Sequence, residues 1–378
     1  MTTVVVAGAL AAKPYNAGNA WTRLSWAASF AALGFDVWLV EHLAPGAGDD
    51  EALAWAQGIF ESRGLAARAA VLGPDDEVVL GPATCETVEA VSTAALVLDI
   101  GGHLGTAGPP RRGGGVRVFL DDDPGFTQVW DATGSPGSRL CDHDLHLTYG
   151  ANVGRPGCPL PTAGRRWHAV RPPVLLDEWA MPPGPPLPRR FTTVATWRSP
   201  FGSLRHDGVV YGLKHHEFRK VSPLPGMVDA EFTVALDIHQ GDIEDLQRLC
   251  GAGWEIVDPR RVAGDPVSYR NFVQASGAEF SPAQGVYVQA RTGWISDRTA
   301  SYLAAGRPAL VQDTGVASSL PVGEGLLTYR NLDDAATTAA RLADDLDGEG
   351  RAARALAEEF FDGPTIAAQV CELAGVAP

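Results

Sequence analysis

Short, mostly apolar runs recur along this chain, and each is followed by polar or glycine residues. They lie at 3–7 (TVVVA), 95–100 (ALVLDI), 116–120 (VRVFL) and 309–311 (ALV). A strand read as a nearly continuous apolar run is covered on both faces, as in a parallel sheet between two layers of helix. Helical patterns fill the intervals at 20–33, 50–63 and 85–94, the first with Leu24, Ala27, Ala28 and Ala31 on one face. Strands alternating with helices predict an α/β fold. The clusters 101–103 (GGH), 121–125 (DDDPG) and 150–154 (GANVG) each follow a strand, so they fall on the carboxyl edge of the sheet. Doubly wound sheets bind their ligands at that edge.

A chain of 378 residues exceeds one ordinary core, so two domains are expected. Between 171 and 190 proline stands at 172, 173, 182, 183, 185, 186 and 188, too dense for a helix interior. A second α/β pattern follows, with strands expected at 191–196, 232–236 and 254–257. The division expected is a first Rossmann-like domain at 1–175, a proline-rich linker at 176–190 and a second Rossmann-like domain at 191–355. A helical tail at 356–378, with a break at 362–364, has the option of crossing back to the first domain.

The stretch 279–315 reads as strand, loop, helix, strand. Arg291-Thr292-Gly293-Trp294-Ile295 leads to Ser296, an N-cap residue, and Asp297-Arg298 open the helix. Ala300, Leu303 and Ala304 recur at helical spacing, and Gly306 precedes Pro308 at its end. A glycine loop feeding a helix N-terminus presents backbone N–H groups and suits a phosphate or diphosphate.

The formal charge of −15 argues against a nucleic-acid partner, which needs a basic face. A small polyanion needs only a few local arginines. Cys85, Cys141, Cys158, Cys250 and Cys371 are odd in number and without CxxC spacing, so reduced thiols and no zinc site are expected. No leader pattern and no apolar run of spanning length is present, which predicts a cytoplasmic protein. The first βαβ unit lacks GxGxxG, its glycines standing at 8 and 18, so a nicotinamide or flavin site loses its main support. Only Glu41, at the end of the second strand, speaks for one.

Several segments together resemble bacterial group 1 glycosyltransferases of the GT-B type. They are Gly18-Asn19-Ala20-Trp21 with 33–37 (LGFDV), 121–128 (DDDPGFTQ), 211–218 (YGLKHHEF), Tyr269-Arg270 with Glu279-Phe280-Ser281, and 293–308. The resemblance samples both halves. It implies two Rossmann-like domains facing across a cleft, an acceptor site mostly in the first and a nucleotide-sugar site mostly in the second. It implies no metal and no cofactor, the nucleotide-sugar being a co-substrate. Retaining members pair two glutamates separated by seven residues. Here Glu279 meets Tyr287, and Ser301 stands where the second glutamate is usual, five before Gly306; Asp297 on the same helix face is the substitute for ribose hydroxyls.

Transfer of a glycosyl group needs charge stabilisation on the departing diphosphate, a hold on the sugar and a base. Arg198, Lys214, Arg298 and the backbone of Gly293, Trp294 and Ser296 are the diphosphate candidates, with Asp297 for ribose. Glu279 and Asp313 are candidates for sugar hydroxyls, and Gly18 with Asn19 for the border of the donor. Asp121, Asp123 and His103 are the candidate bases, three adjacent aspartates raising one another's pKa. Each also has a plain structural reading: solvated charge, turn former or cap. His215-His216-Glu217 is no metal site, because adjacent helical residues point apart. The expected function is metal-independent transfer to a small-molecule, natural-product acceptor, with the oligomeric state left open. The alternatives are a metal-dependent GT-A transferase using Asp121 and Asp123, a non-catalytic GT-B-like binding or partner-activating protein, and, third, an NAD-dependent oxidoreductase.

Overall fold

The computed structural model describes residues 1–104, 108–140, 142–180 and 184–378. Among them the chain divides into two compact units, residues 1–154, 161–175 and 362–378 forming one and residues 155–160 and 176–361 the other.

The first unit begins β1 (Thr3–Ala7), α1 (Ala17–Ala32), β2 (Asp36–His42), α2 (Asp50–Ser62), β3 (Ala69–Leu72) and β4 (Val78–Leu80). It continues α3 (Thr84–Thr93), β5 (Leu96–Ile100), β6 (Val116–Asp121), α4 (Phe126–Ala132), β7 (Leu145–Thr148) and β8 (Trp167–Ala169). The strands form one sheet in the order β4-β3-β2-β1-β5-β6-β7-β8. Every pairing is parallel except β4 on β3. The order therefore reverses between β1 and β5. Val4, Val5, Val6, Leu96 and Leu98 are fully buried, as the unbroken apolar runs require. Each such side chain contributes about 1.5–3 kcal/mol by leaving water. Strands β3, β4 and β8 were not legible: AAVL reads equally well as the end of a helix, and three residues hold no period.

The second unit contains β9 (Arg190–Thr196), β10 (Leu204–His206), β11 (Val209–Tyr211), α5 (Lys214–Val221), β12 (Glu231–Asp237), α6 (Ile243–Gly251), β13 (Trp254–Val257) and α7 (Pro259–Ala263). Then come α8 (Pro266–Gln274), β14 (Ala278–Ser281), α9 (Gly285–Gln289), α10 (Asp297–Ala304), β15 (Ala309–Gln312), β16 (Leu326–Tyr329), α11 (Leu332–Asp344) and α12 (Leu346–Phe360). Its main sheet is parallel throughout, ordered β13-β12-β9-β14-β15-β16. This is the doubly wound order, with its reversal between β9 and β14. Aromatic rings fill the core: Phe191 stacks on Phe232 at 5.0 Å and Phe280 on Tyr329 at 5.1 Å. At Gly285 a Cβ would lie 2.6 Å from the Gly212 carbonyl oxygen, so only glycine lets α9 begin there.

The last helix, α13 (Gly363–Ala374), belongs to the first unit and packs along α1. A parallel bridge pairs Val174 with Asp362, and Gly363 donates to the Val174 carbonyl at 3.0 Å. Residues 362–378 thus belong to the first unit, while α12 stays wholly with the second. Where it is described, the proline-rich segment 176–190 packs on the second unit. Trp179 is fully buried against Tyr269, and Arg354 Nη1 donates to the carbonyls of Leu176 and Trp179 at 3.1 and 3.3 Å. Residues 181–183, within that linker, lie outside the described residues. Cys85, Cys158, Cys250 and Cys371 are free thiols, while Cys141 lies outside the described residues. Among the described residues no helix is long and apolar enough to cross a membrane.

Candidate functional site

In the second unit the carboxyl ends of β14 and β15 and the first turn of α10 enclose a recess of about 210 Å³, part of it open solvent. Ser281, Ser296, Thr299, Gln312 and Thr314 supply its polar wall, and Trp294, Ile295 and Val311 its apolar one. The Thr299 hydroxyl is buried and has no hydrogen-bond partner. A buried polar atom left unpaired costs on the order of 1–3 kcal/mol, so a ligand oxygen there would relieve it. Gln312 is held from both ends, accepting from Ala283 N at 3.1 Å and donating to Glu217 at 2.8 Å. Neither Thr299 nor Gln312 was singled out in the sequence. The signal for Gln312 is a polar residue closing the otherwise apolar β15.

The loop before α10 is shaped by its own hydrogen bonds. Gly293 has φ +72° and donates its N–H to the Thr314 carbonyl at 2.8 Å, while Thr314 Oγ1 donates to the Trp294 carbonyl at 2.6 Å. Trp294 N donates to Thr292 Oγ1 at 3.3 Å. The amides of Gly293 and Trp294, expected to face a phosphate, are thus engaged within the protein. Ser296 is the N-cap as expected, accepting from Arg298 N at 3.2 Å. Asp297 folds its carboxylate onto the same turn, accepting from Arg298 N at 2.8 Å and from the Ser296 hydroxyl at 3.1 Å. Its expected ribose contact competes with those bonds.

Arg298 is also placed differently from expectation. Its guanidinium spans the point where the strand order reverses. Nε donates to Glu279 at 2.6 Å, Nη1 to the Val194 carbonyl at 2.8 Å and Nη2 to Ser281 Oγ at 2.6 Å. Glu279 is fully buried, and its second oxygen has no partner. The expected diphosphate ligand and the expected sugar ligand therefore bind each other. Asp313 is likewise occupied, accepting from Gly315 N at 2.8 Å and pairing with Arg330 at 3.0 Å and Arg291 at 3.6 Å. Burial alone would raise its pKa, but that amide and those cations hold the carboxyl below its ordinary value.

Arg198, at the end of β9, grips Asp242 with Nε at 2.9 Å and again through Nη2, a fork of the kind that also fits phosphate. The pair holds the guanidinium pKa above its ordinary value and the carboxyl below. Lys214 opens α5, its backbone N–H donating to Gln284 at 2.7 Å.

In the first unit the candidates gather at the carboxyl edge, but in unexpected states. Asp121 is buried, accepting from Gln128 Nε2 at 2.7 Å and Thr148 Oγ1 at 2.8 Å; Gln128 in turn accepts from Gly125 N at 2.5 Å. Burial is the largest cause that pushes its pKa up to about 7. Through Oδ2 this carboxyl clamps the 121–128 turn, while its buried Oδ1 has no partner; Asp123 is exposed. Among the described residues no group of three or more His, Cys, Asp or Glu is placed to hold a metal ion. His103 Nδ1 lies 3.1 Å from Arg139 Nη1. Arginine only donates, so Nδ1 accepts and the ring carries its proton on Nε2. Burial, then the charges of Lys13, Arg23 and Arg139, hold its pKa down at about 3. His103 is thus held neutral, with its proton on the nitrogen turned away from Arg139.

Gly18 and Asn19 lie in the first turn of α1 rather than in the preceding loop. Asn19 Nδ2 donates to the Ala9 carbonyl at 2.6 Å. Glu41 turns inward and accepts from Ala11 N at 2.6 Å and Ala12 N at 2.9 Å, with 2% of its surface exposed. It cannot meet the ribose of a dinucleotide, and the remaining support for an NAD site goes with it.

Two largely parallel, doubly wound sheets in succession define the class: this is the GT-B fold, as expected. Solved structures match it end to end. Staphylococcus aureus TarM, in a complex that includes UDP, superposes with a TM-score of 0.65 at 7% identity over 99% of each chain. Anabaena HepE in complex with UDP-glucose gives 0.61 at 12% identity over 99% of this chain and 100% of its own. AviGT4, a glycosyltransferase involved in avilamycin A biosynthesis, gives 0.58 at 14% identity over 99% and 97%. No family model matches the sequence, nor does any curated protein.

Proposed function

We propose that this protein is a glycosyltransferase that moves a sugar from a nucleotide-sugar donor to a small-molecule acceptor without a metal. The observation that carries the reading is the recess at the first turn of α10, where the buried Thr299 hydroxyl lacks a partner. A departing diphosphate gathers negative charge as the bond from the anomeric carbon to its oxygen breaks and the acceptor oxygen bonds to that carbon. Hydroxyl donors fixed at a helix N-terminus oppose that charge without reorganising. Arg198 and Lys214 remain the proposed cations for the same group, Arg198 exchanging Asp242 for phosphate. The fold is that of proteins solved with UDP and UDP-glucose, which supports a uridine nucleotide. Likeness to an avilamycin biosynthesis protein supports a natural-product acceptor, and a bacterial cytoplasmic setting belongs to the same reading.

The test is a melting screen of the whole chain with UDP-glucose, UDP-galactose, UDP-N-acetylglucosamine and GDP-mannose, repeated with excess EDTA. A donor at 100 times its Kd should stabilise the chain by about 2.7 kcal/mol, and EDTA should not change this. Thr299→Val should weaken the binding about tenfold by removing one hydrogen-bond donor. If no sugar nucleotide raises the melting temperature, the reading is wrong. Binding without turnover on a broad acceptor panel would instead identify the non-catalytic alternative, which the serine at 301 motivates.

A further inference from the structure

At the recess beside the first turn of α10, the polar side chains divide by what their protons do. Ser296 donates its hydroxyl proton to Asp297 at 3.1 Å, and Thr314 donates to the Trp294 carbonyl at 2.6 Å. The Gln312 amide is committed to Ala283 and Glu217. Ser281 and Thr299 differ. They are 2% and 1% exposed, and among the described residues no group accepts the proton of either hydroxyl.

Ser281 does have a partner on its oxygen, since Arg298 Nη2 lies 2.6 Å from its Oγ. A guanidinium only donates, so Oγ is the acceptor and the serine's own proton points away from Arg298. A bond accepted from a cation also polarises that O–H and strengthens it as a donor. Arg298 is itself no part of the recess wall. Its side chain is 12% exposed, with Nε on Glu279 and Nη1 on the Val194 carbonyl.

No aspartate or glutamate stands on that wall. A sugar hydroxyl would bring a proton of its own, and the Gln312 carbonyl oxygen that could take it is spent on Ala283 N. An oxygen that only accepts suits two donors, and negative charge on it suits the amide end of α10. We infer that Ser281 and Thr299 donate together to one phosphate oxygen, with Arg298 the positioning residue that aims the Ser281 proton. That this oxygen belongs to a departing diphosphate rests on the transferase reading, whereas the donor pair itself does not.

Calorimetric titration of the full-length chain with sodium pyrophosphate and with UDP, at matched ionic strength, tests the site. Both should bind saturably, and Ser281→Ala should weaken each about tenfold, the loss of one hydrogen bond to a charged oxygen. Ser281→Thr, which restores a hydroxyl, should recover most of that loss. Arg298→Lys should weaken binding in the parent but add little to Ser281→Ala, because both changes remove the same aimed proton. A merely structural Arg298 would instead cost the same in both backgrounds. Ser281→Ala and Ser281→Thr leave Glu279 paired, so they decide the case even where Arg298→Lys does not fold. Unchanged affinity in Ser281→Ala, an Arg298→Lys loss equal in both backgrounds, or no binding of either anion overturns the site. Sugar nucleotides bound equally well by the parent and by Ser281→Ala would remove this site and leave the transferase reading. Pyrophosphate binding weakened by Ser281→Ala, in a chain that binds no sugar nucleotide, would do the reverse.

Discussion

Replacing Arg298 with alanine separates the two roles open to that residue. If it bound the diphosphate, its loss would weaken donor affinity and leave the fold intact. The structure places it instead at the seam between β9 and β14, where one guanidinium serves Glu279, the Val194 carbonyl and Ser281. Truncation strands the fully buried Glu279 carboxylate and leaves two further acceptors unfilled. Breaking a buried ion pair from one side costs about 3–5 kcal/mol, because the remaining charge has neither partner nor water. For a unit of this size, 1 kcal/mol moves the midpoint by roughly 2–4 °C, so the melting temperature should drop by about 6–20 °C. Arg298→Lys should recover only part of this, since an ammonium cannot reproduce the three-way fork. Combining Arg298→Met with Glu279→Gln, which removes the stranded charge, should be milder than Arg298→Ala alone. Thermal unfolding and hydrogen exchange at β9 and β14 read the effect. A melting temperature within 2 °C of the parent, together with a large loss of donor affinity, would refute the structural role.

Asp121 gives a pH signature of definite sign. Its folded-state pKa is raised to about 7 from 3.8, so between these values the native chain holds a proton that the unfolded chain releases. Its contribution to stability is present at the acid end and is lost as pH rises through 7, on the order of 2–4 kcal/mol in all. Asp121→Asn should flatten that fall in urea unfolding measured from pH 4 to 8; an unchanged profile would remove Asp121 as its source. Glu41→Ala strips the acceptor from the Ala11 and Ala12 amides and should cost about 1–3 kcal/mol while raising their hydrogen exchange. Unaltered protection at those two amides would show that the loop is held by something else.

Most of the architecture follows from local pattern. Unbroken apolar runs bounded by glycine and acidic clusters dictate strands covered on both faces, and the helices between them dictate parallel connections; both sheets follow. The cap at Ser296 and the helix it opens were legible for the same reason, since capping depends on residues adjacent in sequence. The edge on which candidate residues fall was also legible, because it follows from strand direction alone. Short elements such as β3, β8 and β16 were not, since three or four residues carry no usable period.

What each candidate side chain does at that edge was decided by tertiary structure. Arg298 and Glu279 stand 19 positions apart, and nothing local shows that they pair. The same holds for Arg198 with Asp242, 44 positions away, and for His103 with Arg139, 36 away, a contact that fixes which ring nitrogen accepts. Asp121 is a buried clamp because Thr148, 27 positions on, comes up beside it on β7. Charge and hydrogen bonding act through space, whereas helix and strand preferences act along the chain; the amino-acid order therefore settles the scaffold, and folding settles which charges remain for a ligand.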